Sequence, residues 1–289
     1  MTLNMPGTIG SATLVFGNNS LFIKEKIGII GLGFVGGAIH NAMNEGSVDL
    51  VVHDQAKGHT STYAELKECS GIFICVPSPQ GDDGSCDTSI LETVLGLLKE
   101  VNYQGVIISK CTAPPDVYTR LNNQYPNLVH APEFLTAANA VRDYLNGKFA
   151  FIGGRVSAYQ REAERIIRIG QTGLTDVIHC SIGEASLAKY AINSFLATKV
   201  AFMNELWEVA TANNIDYNNV ARLISSDSRI GKSHMQVPGP DGHFGFGGAC
   251  FPKDTSALLK YASNLGITPM VLDAAVKKNT LLRLKNIKE

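Results

Sequence analysis

The sequence predicts an α/β fold in which an N-terminal, doubly wound sheet is followed by an all-helical central domain. Three observations carry that expectation. A short apolar run, KIGII at residues 26–30, leads into Gly31, Gly33 and Gly36 and then into a helical pattern at Ala38, Ile39, Ala42 and Met43. Strand-like and helix-like segments then alternate as far as Cys180, as in a parallel sheet with crossover helices. From Gly183 the alternation stops, and residues 183–213 form one stretch without Pro or internal Gly, with Leu187, Tyr190, Ala191, Phe195, Leu196, Val200 and Met203 among its apolar positions.

Taken in order, residues 1–25 lack the basic start, apolar core and cleavage site of a secretory signal, and with Gly7, Gly10, Gly17, Asn18 and Asn19 they read as a loosely structured extension. Residues 26–182 form the sheet domain. Its second strand, residues 49–52, ends in His53 and Asp54, and Asp54 stands 23 positions after Gly31. That is about where a dinucleotide-binding fold puts the acid that accepts hydrogen bonds from the adenosine ribose. The order strand, glycines, helix, strand, acid therefore predicts a Rossmann-like unit, with Gly31, Gly33, Phe34, Val35, Gly36 and Asp54 as cofactor-binding residues. A carboxylate there repels a 2′-phosphate and no arginine follows it closely, so NAD is favoured over NADP, with Lys57 the one nearby cation.

Further strands are read at residues 72–76, 106–109, 128–130, 149–152 and 176–180, with helix-like or loop segments at 89–101 and 156–170. Ligands of such sheets bind beyond the C-terminal strand ends, where the sequence puts Ser78, Thr112 and Glu133. Residues 183–289 form the helical domain, with shorter helices expected at 217–225 and 255–265 and another from Thr268 to the C-terminus.

Composition excludes several classes of partner. The 289 residues are 45% hydrophobic with a formal net charge of -1, enough to build a large core and too neutral to bind nucleic acid or a membrane surface through a global field. Six cysteines, Cys69, Cys75, Cys86, Cys111, Cys180 and Cys250, form no CxxC pair and no zinc-type spacing. A reducing, cytoplasmic setting and a small-molecule substrate, with no metal, follow.

The most reactive-looking stretch is GFGGACFPKD at residues 245–254. A thiol after so bare a backbone, with Lys253 three residues on and a helix N-terminus close by, is placed to ionise to thiolate. Cys250 is the candidate nucleophile.

Together with GLGFVG (31–36), CVPSP (75–79), CTAP (111–114), APEFL (131–135), ASLAKYAINSFLATKVAFMNE (185–205) and SRIG (228–231), this block resembles the UDP-glucose and GDP-mannose 6-dehydrogenase family. The resemblance implies oxidation of the C6 hydroxyl of a nucleotide sugar, UDP-glucose first, to a carboxylate in two NAD-dependent steps through a thiohemiacetal and a thioester on Cys250. By the same resemblance Lys189 and Asn193, four apart on one helix face, stabilise charge on a sugar oxygen. Glu133 and Asp254 work with water and proton transfer, and the general base is not assigned between them; Asp254 alternatively caps its helix. Thr112 orders a water or meets the cofactor, which Val76 and Pro77 also line. Lys253 meets cofactor phosphate or acts on the thiol. Glu133, Phe134, Leu135, Lys189, Asn193, Arg229, Phe246, Gly247 and Gly248 are the implied substrate-binding residues, Arg229 in several members from the neighbouring subunit. A homodimer through the helical domain is expected.

Departures from the family pattern are also legible. The chain ends at Glu289 without the family's C-terminal nucleotide-binding domain. Cys111, Thr136, Ala137 and Ser186 replace a usual serine, arginine, glutamate and acid. Two alternative readings accompany the first: a β-hydroxyacid-type alcohol dehydrogenase without covalent catalysis, and a non-catalytic NAD-binding partner subunit.

Overall fold

The computed structural model describes residues 24–44, 48–136 and 139–285. The expected extension up to residue 23, Ala137 and residues 286–289 of the last helix lie outside the described residues.

Eight strands form one sheet: β1 (Glu25–Ile30), β2 (Val48–Asp54), β3 (His59–Thr60), β4 (Gly71–Ile74), β5 (Val106–Ser109), β6 (Leu128–His130), β7 (Phe149–Gly153) and β8 (Asp176–Cys180). Their spatial order is β3-β2-β1-β4-β5-β6-β7-β8. Pairing is parallel from β2 through β1, β4 and β5 to β6, and again between β7 and β8. Two antiparallel pairs depart from the all-parallel expectation. Strand β3 turns back on β2 through Gly58, whose φ of 77° is a left-handed conformation open to glycine, and β7 meets β6 only at His130 and Gly153. A two-residue strand has no pattern to read, which is why β3 was not expected.

Period-two burial explains why the sheet is covered on both faces. Ile27 and Ile29 of β1, Phe73 of β4, Ile108 of β5 and Val129 of β6 pack on one side with Ala38, Ile39 and Met43 of α1 (Phe34–Met43), Tyr144 of α5 (Ala140–Asn146) and Ile166 and Ile167 of α6 (Ser157–Gly170). Ile30, Ile72, Ile74, Ile107 and Leu128 point the other way, onto Leu66 of α2 (Tyr63–Leu66), Leu91, Leu95 and Leu98 of α3 (Ser89–Glu100) and Tyr118 and Leu121 of α4 (Pro115–Gln124). The short α2 and α5 and the polar α4 are not visible as helices in the apolar pattern.

The chain reverses its direction of winding between β1 and β4, which opens a crevice beyond their C-terminal ends. Past the sheet, a capping box of Ser181 and Glu184 starts α7 (Ile182–Ala212), 31 residues and roughly 46 Å long. Helices α8 (Tyr217–Ile224), α9 (Phe251–Asn264) and α10 (Met270–Lys285) follow, and α7 packs on α4, α9 and α10. Helix α7 thus touches both the sheet, at β6 and β7, and α9, whose N-cap residue is Cys250.

Candidate active site

The glycine turn after β1 is built for close approach. Gly31 has a φ of 90°, and a Cβ there would lie 2.8 Å from the Cys75 carbonyl oxygen. A Cβ on Gly36 would overlap the Gly31 carbonyl oxygen, so both glycines serve the packing of turn, strand and helix. Gly33 is different: it caps α1 without a side-chain bond, and a Cβ there would meet no atom within 4 Å. The backbone N–H groups of the first turn of α1 therefore open onto free space, with Phe34 and Val35 beside them. Asp54 closes the turn from the end of β2; its Oδ2 accepts from the Leu32 N–H at 2.6 Å and its Oδ1 from the Lys57 N–H at 3.2 Å. Lys57 donates its ammonium to the Leu32 carbonyl rather than pointing freely at a ligand. Open space over Gly33 and an acid at the end of β2 fit a dinucleotide with an unphosphorylated ribose.

Five of the six expected catalytic side chains come together where the strand ends meet α7 and α9. Lys189 and Asn193, one turn apart on α7, are both buried. The Lys189 ammonium donates to the Glu133 carbonyl and, at 3.2 Å, to Glu133 Oε1, while lying 4.9 Å from the Phe134 ring centre. Glu133 Oε2 accepts from the Leu135 N–H at 2.8 Å, which folds the APEFL turn around its own carboxylate. Asn193 Nδ2 donates to Asp254 Oδ2 at 2.6 Å, and Lys253 Nζ donates to Asp254 Oδ1 at the same distance. Asp254 is 1% exposed and sits in the body of α9's first turns, so it ties helices together and does not cap one.

Cys250 is itself the N-cap residue of α9 and makes no side-chain cap bond. The charges of Glu133, Lys189, Asp254 and Lys253 all act on its thiol. The residue keeps exposed surface, yet the atoms around the sulfur desolvate it enough to push its pKa up, and Glu133 and Asp254 push the same way against Lys189 and Lys253. This corrects the expectation of a readily formed thiolate. The helix N-terminus and the two cations Lys189 and Lys253 do not outweigh desolvation and the two carboxylates, so the thiol is held above its ordinary pKa.

Thr112 follows β5, half-buried, and its carbonyl accepts from the Cys86 thiol at 3.2 Å. Cys86 in turn lies within electrostatic reach of Lys253 and Asp254, which links Thr112 to the cluster. Ser186, standing where an acid is usual, donates to the Ala113 carbonyl at 2.6 Å and so fixes the CTAP turn against α7. Ser78 has a buried hydroxyl without a partner among the described residues. Arg229 is not brought to the cluster: its guanidinium is 87% exposed and paired with Asp227 in its own loop.

Three groups at the site have no counterpart in the sequence reading. Lys110, directly after β5, is a buried ammonium pushed down to about 8 by desolvation, facing Cys75, Glu133 and Lys189 and lying 5.9 Å from the Tyr144 ring centre. Asn279 and Arg283 of α10 reach back to the backbone of Gly245 and Phe246. Their spacing of four on one helix face is visible in the sequence; what it faces is not.

Residues 53–169 match the family model described as the UDP-glucose/GDP-mannose dehydrogenase family, NAD binding domain, and residues 183–281 match that family's central domain. NAD is the cofactor of the matched domain. The UDP-glucose 6-dehydrogenase of Rickettsia bellii is 33% identical over 238 residues, 78% of this chain and 53% of that protein. UDP-glucose 6-dehydrogenase TuaD of Bacillus subtilis is 31% identical over 253 residues, 83% of this chain and 53% of that one. The chain thus spans about half the length of the curated relatives it matches. Among solved structures, a UDP-glucose dehydrogenase from Pyrobaculum islandicum shares the fold with a TM-score of 0.75 at 23% identity, over 93% of this chain and 70% of that one.

Proposed function

We propose that this chain, which belongs to the UDP-glucose/GDP-mannose dehydrogenase family, takes part in the NAD-dependent oxidation of the C6 hydroxyl of a nucleotide sugar to a carboxylate, with Cys250 as the covalent nucleophile and UDP-glucose as the first substrate to try. The observation that carries the reading is the convergence of Glu133, Lys189, Asn193, Cys250 and Asp254, from three separate segments, on one buried charge cluster.

The open turn at Gly33 and Asp54 would hold NAD, which would supply a hydride acceptor for each of the two oxidations, alcohol to aldehyde and thiohemiacetal to thioester. The chain's own residues do the rest. Lys189 donates to the sugar oxygen as negative charge develops on it, and Asn193, aimed by Asp254, does the same from one helical turn away. The Cys250 sulfur adds to the C6 aldehyde: the S–C bond forms, the thiol proton leaves to a carboxylate, and the carbonyl oxygen takes up a proton as the thiohemiacetal forms. The thiohemiacetal would then give its hydride to the nicotinamide acceptor and its hydroxyl proton to Glu133, leaving the thioester. Water then forms the new C–O bond, the C–S bond breaks, and Cys250 recovers its proton.

Burial separates the two acids. The Glu133 side chain keeps 10% of its surface open, whereas the Asp254 carboxylate, 1% exposed, is spent on Asn193 and Lys253. We assign proton transfer to Glu133 and positioning to Asp254. The sheet region and the helical region act as two domains meeting at about residue 182, and a homodimer forms through α7, whose Phe195, Phe202 and Val209 recur every seven residues and stand exposed. No helix among the described residues is long and apolar enough to cross a membrane. All six cysteines are free thiols, which suits the cytoplasm.

The test is NADH formation from NAD with UDP-glucose and with GDP-mannose, counted per sugar consumed. About two NADH per sugar, lost on Cys250→Ser, is expected for a thioester route. One per sugar, unaffected by Cys250→Ser, points to an alcohol dehydrogenase of the β-hydroxyacid type. NAD binding without turnover on either sugar points to a non-catalytic subunit.

A further inference from the structure

The loop that delivers Cys250 has almost no side chains of its own with which to hold itself. Gly245 and Gly248 have φ of 76° and 75°, conformations open to glycine, and Gly247 stands between them. Its geometry is imposed from outside. Asn279 of α10 treats Phe246 as a strand neighbour would: its Oδ1 accepts from the Phe246 N–H at 2.6 Å and its Nδ2 donates to the Phe246 carbonyl at 3.0 Å. One turn on, Arg283 donates from Nε to the same carbonyl at 3.0 Å and from Nη2 to the Gly245 carbonyl at 3.2 Å. The same Nη2 also lies 2.8 Å from the Asp241 carboxylate. Asn204 of α7 completes the hold by accepting from the Gly245 N–H at 3.1 Å. Phe246 is thereby buried, and its ring lies 6.3 Å, edge-on, from that of Phe251, the residue next to Cys250.

Two glycines record how tightly the clamp closes. A Cβ on Gly245 would overlap Asn279 Oδ1, and one on Gly247 would overlap the Arg283 guanidinium. Gly248 has nothing within 4 Å of its Cβ position, so the loop is gripped on the α10 side and open around Gly248, just ahead of the thiol. An arginine engaged at once by a carboxylate and two carbonyls loses its rotameric freedom, which makes it a rigid support.

We propose that Asn279 and Arg283 are positioning residues, which fix the backbone of Gly245–Phe246 and through it aim the Cys250 thiol at the carbon it attacks. The proposal rests on Cys250 being the nucleophile. Neither side chain reaches the reacting atoms; both act through the loop. A displaced nucleophile costs rate far more than affinity, because near-attack geometry is lost while the contacts that bind cofactor are untouched.

The experiment compares wild type with Asn279→Ala, Asn279→Ser and Arg283→Lys by two readouts. The first is the rate of carbamidomethylation of each cysteine by iodoacetamide, followed by peptide mass spectrometry as a function of pH. Cys86 and Cys180 serve as internal references in half-buried surroundings. Freed from its support, the Cys250 thiol gains solvent, so its reaction rate near neutral pH rises roughly tenfold and its pH profile moves down, while Cys86 and Cys180 keep theirs. The second is steady-state turnover, where kcat falls roughly a hundredfold with the KM for NAD unchanged. Arg283→Lys keeps the charge and loses the fork, so it separates positioning from net charge. A rise at all cysteines together marks general loosening and overturns the proposal, as does an unchanged Cys250 rate in every variant. Absence of sugar oxidation by the wild type defeats the functional reading alone, since the alkylation arm still decides whether the clamp sets the thiol.

Discussion

Asn193 Nδ2 donates to Asp254 Oδ2 across 2.6 Å, joining α7 to α9 one helical turn beyond Lys189. The bond fixes the orientation of the Asn193 amide, which the proposed mechanism uses as a donor to the sugar oxygen. Asp254→Asn removes the charge that Lys253 also needs and leaves two amides to sort out one donor and one acceptor. A loss of about 1–3 kcal/mol is expected, read as a lower urea midpoint at unchanged m-value.

Glu133 controls the thiol as well as the ammonium. Its carboxylate is the largest charge effect raising the Cys250 pKa, second only to desolvation. In Glu133→Gln the Lys189 ammonium has lost its anion and acts on the sulfur with less opposition. The pH profile for alkylation of Cys250 is therefore expected to move to lower pH, even as sugar oxidation falls by about a hundredfold or more for want of a proton acceptor. A profile that moves up, or stays still, contradicts this assignment of charges.

The glycine turn offers a contrast between folding and binding. Gly36→Ala forces a methyl onto the Gly31 carbonyl oxygen, so expression or thermal stability fails before cofactor affinity can be asked. Gly33→Ala meets nothing within the protein and should melt within a few degrees of wild type. Its methyl instead occupies the space through which a pyrophosphate approaches the first turn of α1, and NAD affinity measured by calorimetry is expected to drop roughly tenfold or more.

These cases show which parts of the site were legible in the sequence. Gly31, Gly36 and Asp54 were readable because their jobs are local: a turn, a tight crossing and a strand end fix them at set spacings. Lys189 and Asn193 were readable as one helix face, and the family blocks supplied what that face meets. The state of the thiol is not legible in the sequence, because its pKa depends on desolvation and on Glu133, which is over a hundred residues distant in the chain. Helix α4 is not legible either, since its stability comes from Tyr118 and Leu121 packing on the sheet, not from a strong apolar stripe. Asn279 and Arg283 carry no signal of their own, for a polar residue on a helix reads as solvated until the chain folds something against it.

Exposed aromatic residues on α7 lead to a prediction about assembly. Phe195 and Phe202 are 71% and 59% exposed, and a recurrence of seven keeps them on one stripe of the helix with Val209. A charge in that stripe is incompatible with a second copy packed on it. If the proposed homodimer forms through this stripe, wild type gives twice the chain mass by light scattering, and Phe202→Glu is expected to lower it to that of one chain. An unchanged mass would place the contact elsewhere.

Lys110 gives the clearest pH dependence of stability. Desolvation holds its folded pKa at about 8, below the ordinary 10.5, with Cys75 at the end of β4 and Glu133 after β6 drawing it up, Lys189 of α7 pressing it down, and the Tyr144 ring of α5 5.9 Å away. Below pH 8 the ammonium is charged in both states, and the folded chain bears the full cost of burying it. Between about pH 8 and 10.5 the unfolded chain keeps the proton that the folded chain has released, so this group's contribution to stability rises with pH through that window. Lys110→Met removes the cost at nearly the same volume. The variant is expected to be more stable than wild type by at most about 3 kcal/mol near neutral pH, with the gap closing as the pH approaches about 10. Urea unfolding of both proteins across that range measures the gap directly. A gap that stays constant with pH would mean that the methionine gains through packing, and that Lys110 keeps its proton in the folded chain.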